Sequence, residues 1–150
     1  MKAQEIPTYT METLEPLLTQ EDDTIRVFNF WATWCKPCVK ELPAFEALEA
    51  HFAGKPFKLV LISLDFPQAK ESSLIPFVER RQLKPEVWHL DPQMKDNVWI
   101  PKISEAWTGS IPATLVTARG GDLYEFKEQS FEQEALFEWI ESIMEAEMTR

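Results

Sequence analysis

Two rhythms of apolar residues alternate along the chain: short near-continuous apolar runs, and longer stretches in which apolar residues recur every three or four positions. Met11, Leu14, Leu17 and Leu18 in TMETLEPLLTQ have the second rhythm, and the polar EDDT that follows ends it, predicting a short leading helix. IRVFNFW (25–31) is apolar at almost every position, the pattern of a strand covered by helices on both sheet faces. From Lys36 to about Phe52, Val39, Leu42, Phe45, Leu48 and Phe52 mark one apolar face, with Glu41, Glu46 and Glu49 off it, which predicts an amphipathic helix. Pro43 lacks the N–H that the helix ladder needs and is expected to kink it. Gly54 and Pro56 stop this helix, and FKLVLISLD (57–65) is a second buried strand.

Further on, KESSLIPFVERRQL (70–83) reads as a helix interrupted or started by Pro76, followed by a short extended piece at EVWHLD. PQMKDNVWIPKISEAWTGS (92–110) is irregular, with one or two helical turns. IPATLVT, a turn at ARGGD and LYEFKE predict strand, hairpin and strand, because Gly-Gly-Asp supplies the positive backbone angles of a tight turn. SFEQEALFEWIESIMEAE closes the chain as a helix with Leu136, Trp139, Ile140 and Ile143 inward, Ser130 as its cap and Gln133 three residues on. Alternating strands and helices, then a hairpin and a final helix, imply an α/β fold: a mixed central sheet flanked by helices, in one domain spanning 1–150. Repeats, low-complexity tracts and linkers are absent from the pattern.

Composition narrows the function. At 150 residues and 45% hydrophobic the chain can bury a core without staples or metal. Its 25 acidic against 15 basic residues leave a net charge of −10, which repels phosphate backbones and anionic lipid, so nucleic acid is not an expected partner. No stretch approaches the roughly 20 apolar residues that span a bilayer, and MKAQEIPTYTMETL lacks the apolar core of a secretory signal. A soluble chain is the expectation, with the compartment left open.

The only two cysteines stand two residues apart, in FNFWATWCKPCVKELP. Three chemistries use such a pair. Structural zinc needs four ligands, and the only histidines, His51 and His89, are far apart and belong to no spaced pair. A structural disulfide here would close almost no loop and remove little unfolded-chain entropy. Redox exchange suits the local geometry better: a strand ending at Trp31 and a helix starting near Lys36 put Cys35 at a helix N-terminus. Unpaired N–H groups there favour the thiolate. Cys38 then sits one turn in, shielded, as the thiol that resolves a mixed disulfide.

FNFWATWCKPC resembles the active-site run of the thioredoxin superfamily. Pro43, eight residues after Cys35, resembles the proline in that family's active-site helix, Pro112 in GSIPATLV resembles its cis-proline, and the order of elements also fits. Within the superfamily, NFWATWC..C..ELP and the long excursion after the second strand most resemble the TlpA/ResA-type thiol-disulfide oxidoreductases, over about residues 25 to 147. The resemblance implies a thioredoxin fold with an N-terminal extension and an insertion before the cis-proline.

It also implies roles. Cys35 would be the nucleophile and Cys38 the resolving thiol. Thioredoxins carry a buried Asp six residues before the first cysteine, where this chain has Asn29, which cannot accept a proton. Glu41 matches the Glu of the subfamily's CxxCxxE pattern, one turn after Cys38. Held near buried sulfur, it would have a raised pKa suited to assisting deprotonation of Cys38; the competing reading is an exposed glutamate that meets only the helix dipole and Lys40. Ile111 and Pro112 would clamp an extended substrate through the Ile111 backbone, against the plain reading of an ordinary trans proline opening a strand. Trp34 is a recognition surface or simple packing, Lys36 and Pro37 tune the redox potential, and Phe30 and Trp31 are core. Trp99 and Trp107 either wall a groove near the sulfurs or plug the sheet, and His51 and His89 are structural.

The expectation is therefore an enzyme that reduces disulfides in other proteins, as a monomer, with no metal or organic cofactor. Its electrons would come from an upstream dithiol reductase. The subfamily suggests a protein that is periplasmic or membrane-tethered facing the periplasm, with a cytoplasmic location as the alternative. Two rivals are a peroxiredoxin-like peroxidase, whose Pro-x-x-x-Thr-x-x-Cys setting this chain does not match, and a non-catalytic, redox-switched binding module.

Overall fold

In the computed structural model, which describes residues 4–150, six strands form one sheet in the order β1-β4-β3-β2-β5-β6. The strands are β1 (Thr8–Tyr9), β2 (Ile25–Trp31), β3 (Phe57–Ser63), β4 (Glu86–Leu90), β5 (Ala113–Ala118) and β6 (Leu123–Lys127). β1, β4, β3 and β2 run parallel to one another, while β5 is antiparallel to both β2 and β6, so the sheet is mixed. The helices are α1 (Met11–Leu18), α2 (Lys36–His51), α3 (Ile75–Arg81), α4 (Asp96–Ile103) and α5 (Gln133–Met148).

Every residue of β2 is buried because helices cover both sheet faces, which is why its apolar run is continuous rather than alternating. Successive side chains still point to opposite faces. Ile25, Val27 and Trp31 join Leu59, Leu61, Val87 and Val116 against α2, α3 and α5, whereas Phe28 and Phe30 join Val60, Ile62, Trp88 and Leu115 against α1 and α4. Asn29 has the parity of Val27 and Trp31, and is thereby delivered to the α2 side.

Several boundaries differ from the sequence expectation. β1 has only two residues, too few to show a period in the sequence. The expected helix over 70–83 is split: Pro67–Ala69 is a 3₁₀ turn, Lys70–Leu74 a π-turn, and only Ile75–Arg81 is α-helical. Pro76 has no N–H to give to Ser72, so the lead-in adopts a wider pattern in which the Ile75 N–H donates to the Lys70 carbonyl. The one or two helical turns expected within 92–110 are there, as the two-turn helix α4. Ser130 does not cap α5; Glu132 occupies the cap position without a side-chain bond. The backbone over 130–132 is used instead, where Phe131 turns its N–H inward to Glu41.

The alternatives for Trp99 and Trp107 resolve as the plug. Both are buried, their rings pack edge to face at 5.5 Å, and Trp107 lies 5.1 Å from Phe30 and 5.3 Å from Phe126. His89 is buried between Thr8 Oγ1 (3.0 Å) and the Asp65 carbonyl (2.8 Å), whereas His51 is exposed beside Glu141 at 3.3 Å.

Candidate active site

The site lies where β2 ends and α2 begins, at the carboxyl end of the parallel strands. Ala32 to Cys35 form a tight turn closed by the Cys35 N–H donating to the Ala32 carbonyl at 3.1 Å. Cys35 caps α2 with an extended backbone, and its sulfur accepts the Cys38 N–H at 3.3 Å. Pro37 in the first turn costs nothing, because N–H groups there have no helical partner. Cys35 and Cys38 are joined as a disulfide with Cα atoms 5.3 Å apart. Cys35 retains 6% exposure and Cys38 none, so only the first sulfur meets an incoming molecule.

The loop before β5 faces this disulfide. The Ile111–Pro112 peptide bond is cis, and the Ile111 carbonyl oxygen stands 3.7 Å from Cys35 Sγ. Glu128, just after β6, holds the loop from behind: its carboxylate accepts the N–H groups of Thr108 and Ser110, each at 3.1 Å, and the Thr108 hydroxyl. That hydroxyl draws the Glu128 carboxyl below the ordinary carboxylate range. Trp107 Nε1 adds a bond to the Ser110 carbonyl at 2.8 Å.

The structure distinguishes the two readings of Glu41. It lies off the apolar face of α2, yet it is 3% exposed, so the competing reading of an exposed glutamate fails. The segment leading into α5 covers it, and the Phe131 N–H donates to Oε2 at 2.6 Å. Asn29 Nδ2 donates to Oε1 at 3.3 Å and to Thr114 Oγ1 at 3.2 Å, as the β2–β5 register of Asn29 opposite Thr114 requires. Burial pushes the Glu41 carboxyl up to about 7; the Phe131 and Asn29 donors oppose this without cancelling it. Among the described residues no hydrogen bond joins Glu41 to either sulfur in this oxidised form. Asn29 Oδ1 is buried without a partner.

Around the disulfide, Trp34 is 60% exposed, and Lys36 and Pro37 also face solvent. Phe66, just past β3, is 59% exposed, and no motif in the sequence singles it out. Asp65 also escapes the sequence reading: 1% exposed, it binds Thr33 of the redox turn. A signal for it exists, since LISLD ends a buried strand on a carboxylate at the edge where the neighbouring strand runs into the cysteines. Among the described residues no group of three or more His, Cys, Asp or Glu could hold a metal ion, and no helix is long and apolar enough to cross a membrane.

Against known proteins, the model of the AhpC/TSA family matches residues 4–122. The thioredoxin-like protein YneN of Bacillus subtilis is 38% identical over 74 residues, 47% of this chain and 42% of the relative. Sporulation thiol-disulfide oxidoreductase A of Bacillus subtilis is 25% identical over 116 residues, 77% of this chain and 66% of the relative. Proteins named thiol-disulfide oxidoreductase ResA match shorter stretches, in keeping with the expected ResA-type kinship. The chain thus spans less than half the length of YneN in their match. A thiol:disulfide interchange protein of the thioredoxin family from Chlorobium tepidum superposes with a TM-score of 0.64 over 95% of this chain and 98% of that one, at 16% identity. The fold is that of thioredoxin, as the order of elements implied.

Proposed function

We propose that this chain, which belongs to the AhpC/TSA family, is a thiol-disulfide oxidoreductase that reduces disulfides in other proteins, with Cys35 as nucleophile and Cys38 as resolving thiol. The observation that carries the reading is the asymmetry of the pair: one sulfur accessible at a helix N-terminus beside the Ile111–Pro112 loop, the other sealed one turn behind it. The names of the oxidoreductase relatives support the same chemistry.

In the reduced protein, the Cys38 N–H and the positive end of α2 stabilise a thiolate on Cys35. That thiolate attacks one sulfur of the substrate disulfide, forming a mixed disulfide and releasing the first substrate thiolate, which takes up a proton. Cys38, deprotonated, then attacks Cys35 Sγ; the mixed disulfide breaks, the second substrate thiolate leaves, and the Cys35–Cys38 disulfide forms. Two electrons and two protons pass to the substrate. A partner dithiol returns the pair to its reduced state, with no metal or organic cofactor.

Glu41 is the proton-transfer assistant for Cys38. With a pKa near neutrality it exists in both forms at physiological pH, which suits a group that takes a proton and hands it on. Asn29 supports both forms: its amide donates to the carboxylate, and its unpartnered Oδ1, turned by an amide flip, can accept from the protonated acid. Trp34 and Ile111 form the substrate surface, the indole as an apolar platform and the Ile111 backbone as a strand-like partner for an extended peptide. Lys36 and Pro37 tune the potential. The protein acts as a monomer facing the periplasm.

The test is the reduction potential of the pair, measured in graded thiol-disulfide buffers by tryptophan fluorescence. A value near or below about −250 mV supports a reductase, whereas one near about −120 mV makes the protein an oxidant and overturns the direction of electron flow.

A further inference from the structure

Asp65 is a buried acid that the exchange chemistry leaves unused. It follows β3 directly, and its carboxylate has no cation partner among the described residues. Three donors converge on it instead. The Thr33 N–H lies 3.1 and 3.2 Å from its two oxygens, the Thr33 hydroxyl 2.6 Å from Oδ1, and the Ser63 hydroxyl 2.5 Å from Oδ2. Its backbone is also fixed, with the N–H bound to Ser63 Oγ at 3.0 Å and the carbonyl to His89 Nε2 at 2.8 Å. His89 continues to Thr8, whose hydroxyl accepts from Lys70 Nζ at 2.7 Å. The acid is thus held rigidly by β3 and β4, and what it grips is the turn that carries Cys35.

That grip is the side-chain tether of the turn. Thr33 sits between Ala32 and Cys35, whose mutual backbone bond closes the turn, and the adjoining backbone tie is the Leu64 N–H donating to the Trp31 carbonyl at 2.7 Å. A carboxylate suits the position because its oxygens only accept, and the Thr33 N–H can only donate. An amide or alkyl side chain would leave at least one of these buried groups mismatched.

We propose that Asp65 is a positioning residue: its clamp on Thr33 holds the redox turn and so sets the equilibrium between the Cys35–Cys38 disulfide and its dithiol. The inference rests on the pair being redox-active, as proposed above. The stability of an intramolecular disulfide relative to a reference thiol measures the effective concentration of its two thiols in the reduced protein. A clamped turn keeps Cys35 over Cys38 after reduction, so less freedom is lost when the bond re-forms. Releasing the clamp lowers the effective concentration and moves the potential in the positive direction.

The experiment equilibrates the full chain with reduced and oxidised glutathione, two thiols per protein disulfide, and reads the thiol content by alkylation and mass. Asp65→Asn and Thr33→Val are compared with the wild type and with Thr33→Ser, which keeps both donors. Thr33→Val removes no charge and so isolates the clamp from any electrostatic effect on the thiolate. The disulfide-forming equilibrium constant is expected to fall about tenfold in Asp65→Asn, equivalent to about 30 mV for this two-electron couple, and several-fold in Thr33→Val. Thr33→Ser should stay with the wild type.

A purely structural role predicts something else: oxidised and reduced forms lose stability equally, and the equilibrium constant stays within twofold of wild type in both variants. That result overturns the proposal. If Asp65→Asn does not fold, Thr33→Val decides alone, since it leaves the carboxylate two of its three donors. A wild-type pair that never equilibrates with glutathione would instead sink the redox reading itself.

Discussion

Replacing Glu41 by glutamine in the oxidised protein converts its burial into a measurable pH dependence. Folding carries this carboxyl from an ordinary value of 4.5 to about 7. Between those values the unfolded chain has lost the proton and the folded one keeps it, so the folded state binds more protons and stability falls as pH rises. The contribution is fully present below pH 4.5 and gone above pH 7. A shift of that size corresponds to about 3 kcal/mol in all, of which about 2.5 kcal/mol lies between about pH 5 and pH 8. The substituted amide cannot titrate, yet its carbonyl can still accept from Phe131. The assay is urea unfolding of both proteins at several pH values with the disulfide intact, so that neither cysteine ionises. Every other ionisable group is common to the two proteins, so its contribution cancels in the difference. Wild-type stability relative to Glu41→Gln should fall by about 2.5 kcal/mol from about pH 5 to pH 8. A difference that stays flat across this range would refute the claim that desolvation outweighs the two donors.

The remaining expectations concern the site's other groups. Cys38→Ser should accumulate a mixed disulfide between Cys35 and a disulfide-bonded peptide, visible by intact mass, while Cys35→Ser should not, because the remaining sulfur is fully buried. Asn29→Asp would put a second carboxyl within hydrogen-bond reach of Glu41, so that the two share one proton near neutrality; urea unfolding should show a steeper loss of stability with rising pH than in the wild type. Glu128→Ala should free the Thr108–Ser110 loop and raise KM for a peptide disulfide several-fold, with the reduction potential unchanged, as steady-state kinetics and glutathione equilibration would show.

The parts of the fold legible in the sequence are those where one physical requirement dominates. β2 spans the apolar run IRVFNFW because burial on both faces leaves no place for a polar alternation. α1 follows Met11, Leu14 and Leu18 because only one of its faces meets the sheet. Glu41 shows where a single-face reading fails: α2 is covered by the sheet and, at this residue, also by the entry to α5, a contact about ninety positions away in the chain. Phe131 acts through a backbone N–H that meets a side chain ninety positions away, which no residue type encodes. Ser130 has the right chemistry for a cap, but the chain there commits its backbone to Glu41 instead. The cysteines are legible because their spacing and the strand-helix junction are both local.

The first residues after Ala3 do more than lead into α1. Without them β4 would be an open edge, a row of unpaired N–H and C=O groups able to template another chain. Only Thr8 and Tyr9 pair with it as a strand. Beyond them, the Pro7 carbonyl accepts the His89 N–H at 2.9 Å, and Gln4 stands in for backbone: its Oε1 accepts the Val87 N–H at 3.0 Å while Nε2 donates to Leu83 and Pro85 carbonyls. Peeling this strap away would expose Val87, Trp88 and Leu90, a sticky border beside an otherwise intact domain. Resistance to self-association should therefore depend on a short leading segment far in sequence from the cysteines, and fail before the sheet itself does.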